Sequence, residues 1–353
     1  MSTYTQELQT TAKALVAKGK GILAMDESNG TCNKRFEKLG IATTEENRRA
    51  YRELILTTPN LNTYISGAIL FDETIHQSSA TGETFVSVMQ RLGLIPGIKV
   101  DGGAKPFAGH PDELVTEGLD GLVDRVREYY NLGARFAKWR AVITISHSER
   151  YANGADIPSA ACIEANADAL AKYAAICQAN GLVPIVEPEV LIDGNHTLDR
   201  CRQVTAATLK EVFKHLRAQG VAFDRMILKP SMVISGLSAA LPAPVNEVAT
   251  ATIETLMQEV PHTVAGIAFL SGGQTNEQAA AHLNAMKVMF PQTPWPVTFS
   301  YARAIQQSAL DKWRGDSANV AAAQQILAHR AACNSAASNG TYTIDLDRQL
   351  ALV

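Results

Sequence analysis

Short apolar runs alternate with longer amphipathic segments along the whole chain. The apolar runs lack the alternation of a half-exposed strand, which is the pattern expected of parallel strands that are buried on both faces. Eight such runs occur, at residues 21–25, 65–71, 95–100, 136–143, 182–186, 226–228, 264–270 and 295–299. The pattern therefore predicts eight buried parallel strands.

The segments between these runs carry signals for helix starts and ends. Thr43 with Glu46, and Thr275 with Gln278, have the spacing of a capping box, and Gly181 suits the end of a long Ala-rich helix. Strands that alternate with helices predict βα units and a parallel sheet. Eight units in one chain favour a closed (β/α)8 TIM barrel, with an open doubly wound sheet as the alternative.

The end of the chain lies outside these eight units. Residues 317–337 are Ala-rich and predict an added C-terminal helix, and residues 341–353 predict a partly extended stretch. No tract of Gly, Ser and Pro divides the chain as a linker would. We therefore expect residues 1–353 to form a single α/β barrel domain, with residues 338–353 as a short C-terminal tail.

Composition narrows the classes of protein to which the chain can belong. Its 353 residues are 46% hydrophobic and 19% charged, which is enough for a large core and unlike a disordered chain. A formal net charge of -3 predicts no general attraction to nucleic acid or to an anionic membrane. The sequence offers neither a membrane-spanning run nor the pattern of a signal peptide. Five cysteines without metal-ligand spacing predict reduced thiols in a cytoplasmic protein.

Charged and small polar residues collect where the predicted strands end. They are Asp26, Lys99, Asp101, Lys138, Arg140, Glu187, Glu189, Lys229, Ser271, Gly272, Gly273, Ser300 and Arg303. In a barrel these positions converge on the carboxyl ends of the strands, where barrel enzymes have their active sites. Buried ion pairs add little to stability and often reduce it. So many charges in one small space therefore indicate function rather than packing.

Lys229 is the strongest candidate nucleophile. Taken alone it could be an ordinary lysine that ends a strand and reaches water. Partial desolvation and two neighbouring lysines would favour its neutral form, and a neutral lysine amine attacks carbonyl carbons. Glu187 and Glu189 could move protons as a carbinolamine forms and loses water, and Asp26 could handle the proton of a substrate hydroxyl. This set predicts the making or breaking of a carbon–carbon bond beside an iminium.

The remaining polar residues predict two anion sites. Ser271-Gly272-Gly273 precedes a helix, where free backbone N–H groups attract anions, and Arg303 can hold phosphate oxygens through two N–H groups. A second site, on the far side of the lysine, would consist of Ser28, Thr31, Lys34, Arg35 and Lys99. Two phosphate sites that flank a Schiff-base lysine imply a substrate with a phosphate at each end.

Several stretches match one known family. They are residues 19–28 (GKGILAMDES), 97–101 (GIKVD), 136–140 (FAKWR), 184–189 (PIVEPE), 228–230 (LKP), 269–274 (FLSGGQ) and 298–301 (TFSY). The chain resembles class I fructose-bisphosphate aldolase, the metal-independent Schiff-base type, over nearly its whole length. The resemblance implies a barrel that reversibly cleaves fructose 1,6-bisphosphate to dihydroxyacetone phosphate and glyceraldehyde 3-phosphate in glycolysis and gluconeogenesis. It also implies a cytoplasmic homotetramer that needs no cofactor.

The resemblance further implies a role for each matched residue. Lys229 would form the Schiff base and Glu187 would be the main acid and base, assisted by Asp26, Lys138 and Glu189. The phosphate of the dihydroxyacetone half would bind to Ser271, Gly272 and Arg303. The other phosphate would bind to Ser28, Thr31, Lys34, Arg35 and Lys99. Further substrate-binding residues would be Arg140, Gly273, Ser300 and Ala302.

Three features depart from the family pattern. Ala302 stands where the family commonly has glycine, which adds a methyl group near a phosphate. Cys32 lies beside the second phosphate site, where no thiol is expected, and we interpret it as a small buried filler. Animal members end in a tyrosine that assists proton transfer, whereas this chain ends Gln349-Leu350-Ala351-Leu352-Val353. Another group must take that role, or the step is slow.

Three alternatives were weighed against this interpretation. A metal-dependent aldolase is disfavoured, because no two of the eight histidines have ligand spacing on one element. The same chemistry on sedoheptulose 1,7-bisphosphate remains open, since that sugar also carries a phosphate at each end. A catalytically silent scaffold is the third alternative, and a desolvated lysine would serve no purpose in it.

Overall fold

A closed barrel of eight parallel strands forms the centre of the protein, in a computed structural model that describes residues 4–146 and 157–349. The strands of the described residues are β1 (Gly21–Ala24), β2 (Ile65–Leu70), β3 (Ile95–Lys99), β4 (Ala104–Pro106), β5 (Leu114–Thr116), β6 (Phe136–Ile143), β7 (Val183–Val190), β8 (Ile227–Leu228), β9 (Gly266–Phe269) and β10 (Val297–Tyr301). The barrel order is β1-β2-β3-β6-β7-β8-β9-β10, and β10 pairs back to β1. This confirms the (β/α)8 barrel and excludes the open sheet.

Helices connect the strands and cover the outside of the barrel. They are α1 (Thr5–Leu15), α2 (Asn29–Glu37), α3 (Glu45–Leu56), α4 (Asp72–Ile75), α5 (Phe85–Arg91), α6 (Leu122–Leu132), α7 (Ala160–Ala179), α8 (Leu198–Ala218), α9 (Val245–Glu259), α10 (Asn276–Met289), α11 (Arg303–Trp313), α12 (Val320–Asn339) and α13 (Ile344–Arg348). Strands β4 and β5 form an antiparallel hairpin between β3 and α6. None of the described helices is both long and apolar enough to cross a bilayer.

Each of the eight apolar runs overlaps a barrel strand, but two strands continue beyond the predicted run. Strand β7 continues to Val190 and pairs with β6 along its whole length, whereas the apolar run ends at residue 186. Glu187 and Glu189 interrupt the apolar pattern although both side chains are buried. Strand β10 likewise continues past its apolar run to Tyr301. Both extensions add polar side chains to the carboxyl end of the barrel.

One hydrophobic cluster fills the barrel interior and another lies between the strands and the helices. Ile22, Phe136 and Ile185 belong to the interior cluster, together with Leu8 and Leu15 of α1. The hydroxyl of Ser66, next to the start of β2, donates to the backbone oxygen of Leu15 at 2.7 Å. Helix α1 therefore packs across the amino ends of the strands and closes that end of the barrel.

The interior is packed tightly enough to require glycine in β3. A Cβ atom on Gly97 would lie 2.2 Å from ring atoms of Phe136, far inside van der Waals contact. The aromatic ring therefore occupies the space that a side chain at position 97 would need. Because Gly97 lies two residues before Lys99, this packing also fixes where the end of β3 presents its lysine.

Of the two predicted capping boxes, the structure corrects one and confirms the other. Helix α3 is capped by Thr44, which accepts from the backbone N–H of Asn47, and not by Thr43. The predicted capping box of Thr275 and Gln278 is confirmed at α10.

The C-terminal stretch is less extended than predicted. Helix α12 covers most of the predicted Ala-rich helix, and the short helix α13 follows it. Arg330 of α12 forms an ion pair with Asp347 of α13, which holds the short helix in place. Residues 350–353 of the predicted tail lie outside the described residues.

Candidate active site

Five ionisable side chains lie together at the carboxyl end of the barrel. Lys138 belongs to β6, Glu187 and Glu189 to β7, Lys229 directly follows β8, and Asp26 lies two residues after β1. All five are buried, with Lys229 only 3% exposed. Residues two apart on a strand point the same way, so β7 directs both of its glutamates to this space. The barrel thus brings together the five residues predicted to carry catalysis.

Four of these groups form a chain of alternating charge. Asp26 Oδ2 lies 2.8 Å from Lys138 Nζ, and Lys138 Nζ lies 3.2 Å from Glu187 Oε2. The other carboxylate oxygen of Glu187, Oε1, lies 3.1 Å from Lys229 Nζ. Glu187 therefore bridges the two buried lysines, one on each oxygen.

The charges in this chain hold Asp26 and Lys138 in their ionised forms. Burial by itself would raise the pKa of Asp26, but Lys138, Lys229 and Lys99 outweigh it and lower the pKa from 3.8 to about 2. Burial would lower the pKa of Lys138, yet Asp26 and Glu187 raise it well above the ordinary lysine value. Asp26 is thus a carboxylate, and Lys138 an ammonium, throughout the neutral pH range.

Two adjoining cavities open onto this chain. One has a volume of about 220 Å³ and contains Lys229, Glu187 and Glu189 in its wall. The second has a volume of about 510 Å³ and is bounded by Lys99, Asp101 and the start of the β4–β5 hairpin. The residues that line both cavities are Asp26, Glu27, Thr31, Lys138 and Arg140. An elongated ligand could therefore span both cavities.

The first cavity ends at a loop built to bind anions. Ser271 and Gly272 line it, and the backbone N–H groups of Ser271, Gly272 and Gly273 donate to no acceptor in the described part of the chain. Gly272 and Gly273 have φ angles of 59° and 107°, a region that favours glycine. Three adjacent free N–H groups form a concave anion-binding surface.

The amino end of α11 meets the same cavity. Ala302 precedes the helix and Arg303 begins it, and both line the cavity. Arg303 is exposed and makes no ion pair with any described residue, so its guanidinium is available to an anion. The Ser300 hydroxyl is buried and makes no hydrogen bond within the described chain. The predicted residues of the first phosphate site therefore converge, except that Gly273 faces Arg303 rather than the cavity itself.

Three of the five residues of the second predicted anion site line the second cavity, whereas Arg35 lines the first and Lys34 lines neither. Ser28 caps α2 by accepting from the backbone N–H of Thr31 at 3.3 Å, and both residues line the second cavity. Lys99 lies 2.7 Å from Asp101 Oδ1 and lines the same cavity. Lys34 is exposed and lines neither cavity. The prediction for Lys34 therefore differs from its position in the structure.

Glu27 is a site residue that the sequence prediction missed. It lines both cavities and forms ion pairs with Arg35 and, at 2.8 Å, with Arg52. Burial would raise the pKa of Glu27, but Arg52 and Arg35 outweigh it and lower the pKa. The carboxylate holds the guanidinium of Arg35 in the wall of the first cavity. Two features of the sequence could have identified Glu27: it directly follows Asp26, and it lies eight residues before the basic residue Arg35.

Arg140 and Glu189 form an ion pair in the wall of the first cavity. The backbone N–H of Arg140 also donates to Asp101 Oδ2 at 3.2 Å, and Asp101 in turn holds Lys99. Asp101 therefore links β6 to the end of β3. This pairing keeps Lys99 at the second cavity.

Two other clusters could in principle hold a cation. His329, Cys333 and Asp347 lie close together, as do Glu164, Glu211 and His215. Asp347, however, already pairs with Arg330 and accepts from the hydroxyl of Tyr342. The second cluster lies on the outer helices α7 and α8. Neither cluster lines the cavities of the candidate site.

Cys32 agrees with its interpretation as a buried filler. It lies on the inner face of α2 in the same hydrophobic cluster as Phe36 and Tyr51. Burial raises the pKa of its thiol, which keeps it protonated and poorly nucleophilic. The thiol therefore has no part in the chemistry of the neighbouring cavity.

Comparison with known proteins agrees with this geometry. The family model described as fructose-bisphosphate aldolase class-I matches residues 7–351. A probable fructose-bisphosphate aldolase class 1 from Xanthomonas campestris pv. campestris is 57% identical over 338 residues, which cover 96% of this chain and 98% of that protein. A fructose-bisphosphate aldolase from Dictyostelium discoideum is 48% identical and covers 97% of this chain and 94% of its own length.

A solved structure shows the same likeness in three dimensions. Fructose-bisphosphate aldolase from Plasmodium falciparum, in complex with TRAP and a small-molecule inhibitor, superposes with a TM-score of 0.92. The two chains are 45% identical, and the match covers 96% of this chain and 95% of that one. The barrel, the convergent charges and these matches agree: the chain belongs to the class I fructose-bisphosphate aldolase family of lyases.

Proposed function

We propose that the protein cleaves fructose 1,6-bisphosphate reversibly, through a Schiff base on Lys229, into dihydroxyacetone phosphate and glyceraldehyde 3-phosphate. The observation that carries this proposal is the buried chain of charge from Asp26 through Lys138 and Glu187 to Lys229. A non-catalytic scaffold would gain nothing from two buried lysines joined by one carboxylate, since replacing buried ion pairs by apolar residues is often neutral or stabilising.

Glu187 is placed to serve the formation of the Schiff base. The Lys229 amine must give up a proton before it attacks the C2 ketone carbon, and Glu187 Oε1, at 3.1 Å, is within reach to accept it. The same carboxyl group then returns a proton to the carbinolamine hydroxyl, which leaves as water. The product is an iminium that joins C2 to Lys229.

Cleavage uses the iminium as an electron sink. The C3–C4 bond breaks and its electron pair moves toward C2, leaving an enamine on Lys229. The C4 hydroxyl loses its proton and becomes the aldehyde of glyceraldehyde 3-phosphate. Asp26 can accept that proton because its pKa is held at about 2, so it is ionised at neutral pH. Protonation of the enamine at C3 and hydrolysis of the iminium then release dihydroxyacetone phosphate.

The two anion sites orient the substrate across Lys229. The C1 phosphate lies against the free N–H groups of Ser271, Gly272 and Gly273 and the guanidinium of Arg303. The methyl group of Ala302 and the hydroxyl of Ser300 border this end. The C6 phosphate lies toward Ser28, Thr31 and Lys99 of the second cavity and toward Arg35, which lines the adjoining first cavity. Glu189 and Arg140 line the wall between the two ends.

Trapping of the covalent intermediate tests the proposal. The protein is incubated with dihydroxyacetone phosphate, reduced with borohydride and digested, and the adduct is located by peptide mass. We expect one adduct, on Lys229, and none in Lys229→Met. Lys138→Met, which removes the other buried lysine of the chain, is the matched control and should retain an adduct on Lys229. An adduct on Lys138 in the wild type would contradict the assignment of the nucleophile.

Two further measurements separate the alternatives. Full activity after exhaustive treatment with a chelator is expected, because no step of this mechanism uses a metal. Comparison of kcat/KM for fructose 1,6-bisphosphate and sedoheptulose 1,7-bisphosphate establishes whether the second cavity prefers the shorter or the longer sugar. A higher value for the seven-carbon sugar would assign the chain to that substrate instead.

We also propose that the whole chain acts as one barrel domain, in a cytoplasmic homotetramer, without nucleic acid or membrane partners. Membership of the family supports the tetramer, and five cysteines that form no disulfide among the described residues suit a reducing compartment. Sedimentation equilibrium tests the assembly, with four times 38.0 kDa expected. A mass of one or two chains would contradict the tetramer.

A further inference from the structure

Behind the Ser271–Gly273 loop lies a pair of buried polar side chains. His282 lies on α10 with 4% of its surface exposed, and Gln274 follows the loop with 7% exposed. His282 Nδ1 lies 2.6 Å from Gln274 Oε1, and Gln274 Nε2 donates to the Ser271 carbonyl at 3.1 Å. Two hydrogen bonds in series therefore link His282 of α10, through Gln274, to Ser271 of the loop.

The chemistry of these three groups determines which atom donates to which. A carbonyl oxygen can only accept, so Ser271 requires the NH2 group of Gln274 to face it. The amide oxygen of Gln274 must then face His282, and Nδ1 of the imidazole must carry the proton that it donates. A neutral imidazole fits this arrangement, and burial lowers the pKa of His282 to about 4. The series therefore has a single direction, with His282 donating to Gln274 and Gln274 donating to Ser271.

The series also joins the loop to the segment after β8, which begins with the nucleophile. Gln274 Nε2 lies 3.5 Å from the sulfur of Met232, and the Leu270 N–H donates to the Pro230 carbonyl at 3.2 Å. Pro230 directly follows Lys229 in the sequence. The Ser271 carbonyl is held twice, by the side chain of Gln274 and by its backbone N–H at 3.0 Å. Since the C=O and N–H of one trans peptide point in opposite directions, the held Ser271 oxygen turns the Gly272 N–H away from Gln274.

Packing alone does not explain a histidine at this position. The other buried residues of α10 are Ala279, Ala280, Leu283 and Met286, all apolar, and an apolar residue at position 282 would avoid burying an imidazole. The imidazole makes a short hydrogen bond to Gln274, and Gln274 is in turn hydrogen-bonded to the loop. A buried polar group that fixes a second polar group is typical of a site that must be held in one geometry.

We propose that His282 and Gln274 are positioning residues that hold the Ser271–Gly273 loop in the conformation that binds the C1 phosphate. The inference rests on the proposed function of that loop. Neither residue touches the substrate, and each acts through the Ser271 carbonyl. Removal of the donor at position 282 therefore weakens recognition of the phosphate, and leaves the chemistry at Lys229 intact.

The test compares two ketones that differ only by the phosphate. Wild type, His282→Leu and His282→Asn are each titrated with dihydroxyacetone phosphate and with dihydroxyacetone, and the adduct on Lys229 is trapped with borohydride. His282→Leu should raise the half-saturating concentration of dihydroxyacetone phosphate about tenfold, the loss expected for one buried hydrogen bond, and leave that of dihydroxyacetone within about twofold. His282→Asn should restore the wild-type value, because its amide nitrogen lies as many bonds from Cα as Nδ1 does.

Controls separate a positioning role from a general loss of structure. Asn284→Ala removes a different contact of α10, with the backbone N–H of Tyr342 at 3.0 Å, and should change neither titration. Gln274→Met removes the middle of the series at similar size and should reproduce His282→Leu; it provides the same measurement if His282→Leu does not fold. Equal weakening of both ketones, or no change for either, would overturn the inference. Absence of any adduct in the wild type would instead contradict the proposed function.

Discussion

The carboxylate of Glu187 lies 3.1 Å from the amine of Lys229, and neither group has more than a few per cent of its surface exposed. A buried carboxylate at hydrogen-bond distance from a buried amine is the arrangement of a general base and its nucleophile. The consequences of this contact, and of the charges around it, can be tested one at a time.

Glu187→Gln should slow Schiff-base formation by about 10²- to 10⁴-fold, the usual contribution of one positioned acid or base. The amide keeps the size of the side chain but cannot accept the proton of Lys229. The rate of borohydride-trapped adduct formation with dihydroxyacetone phosphate measures this step directly. Glu189→Gln is the control, because Glu189 pairs with Arg140 and makes no contact with Lys229. Equal losses of rate in the two variants would show that the contact between Glu187 and Lys229 does not determine the rate of Schiff-base formation.

Asp26 should contribute to stability in a pH-dependent way. Its pKa is about 2 in the folded protein against an ordinary value of 3.8, so the unfolded chain takes up this proton at a higher pH than the folded chain. The stabilisation is therefore complete above about pH 5 and is lost as the pH falls toward 2, with a total of about 2 kcal/mol. Urea unfolding of wild type and Asp26→Asn should show their difference in stability shrinking by about 1 kcal/mol between pH 5 and pH 3.

The same experiment on Asp124→Asn provides the control. Asp124 is almost fully exposed and lies 3.8 Å from Arg127, so its removal should cause no comparable change with pH. A constant difference between wild type and Asp26→Asn over this range would mean that Lys138 does not hold Asp26 in its ionised form.

Arg303 and Arg35 should be distinguishable by substrates that carry one phosphate. Arg303→Ala should raise KM for fructose 1-phosphate at least about tenfold, because it removes charge-assisted hydrogen bonds to the C1 phosphate. Arg35→Ala should leave that KM unchanged and raise KM for fructose 1,6-bisphosphate. Steady-state kinetics with both sugars measures the difference, and the opposite pattern would reverse the orientation of the substrate.

The two arginine variants should also differ in stability. Arg303 is exposed and makes no ion pair within the described chain, so its removal should change the free energy of unfolding by less than about 0.5 kcal/mol. Arg35 pairs with the largely buried carboxylate of Glu27, so Arg35→Ala should destabilise the fold by about 1 to 3 kcal/mol. Urea unfolding of both variants measures this contrast.

Gly97→Ala should destabilise the barrel by about 1 to 3 kcal/mol or more, because the added methyl group overlaps the ring of Phe136 at 2.2 Å. Gly30→Ala is the matched control. A Cβ on Gly30 has no neighbour within 4 Å, and the residue is already in the first turn of α2. The control should be neutral or slightly stabilising in urea unfolding. Equal stability of the two variants would contradict the tight packing of the barrel interior.

The barrel strands could be predicted from the sequence because most of their residues are buried on both faces and therefore apolar. Where charged residues occupy the last positions of a strand, the apolar run gives no sign of where that strand ends. Strand β7 extends to Val190, but Glu187 and Glu189 follow directly on the apolar run, which stops at residue 186. Lys34 was predicted to share a phosphate site with Ser28, Thr31, Arg35 and Lys99, but the sequence does not specify whether its long, exposed side chain reaches the cavity.

Residues that act on other residues were the hardest to predict. Glu27 acts by holding Arg35 and Arg52 in ion pairs, and Arg52 lies on α3, 25 positions further along the chain. His282 reaches the phosphate loop through Gln274, and nothing in the local pattern of α10 distinguishes it from a core position. Such roles depend on which side chains the fold brings together, which residue types and spacing along one segment do not specify.

Helix α1 and the packed interior cluster close the amino end of the barrel, so among the described residues the candidate site is reached from the carboxyl ends of the strands. Substrate would therefore enter, and both products leave, at the carboxyl ends of the strands. In the proposed mechanism the dihydroxyacetone half stays covalently bound to Lys229 after the carbon–carbon bond breaks, while the aldehyde half is held by polar contacts alone. The aldehyde would therefore leave first and the ketone second, and in the reverse direction the ketone would bind before the aldehyde. The covalent bond sets this order, and the closed amino end of the barrel sends both products out on the same side.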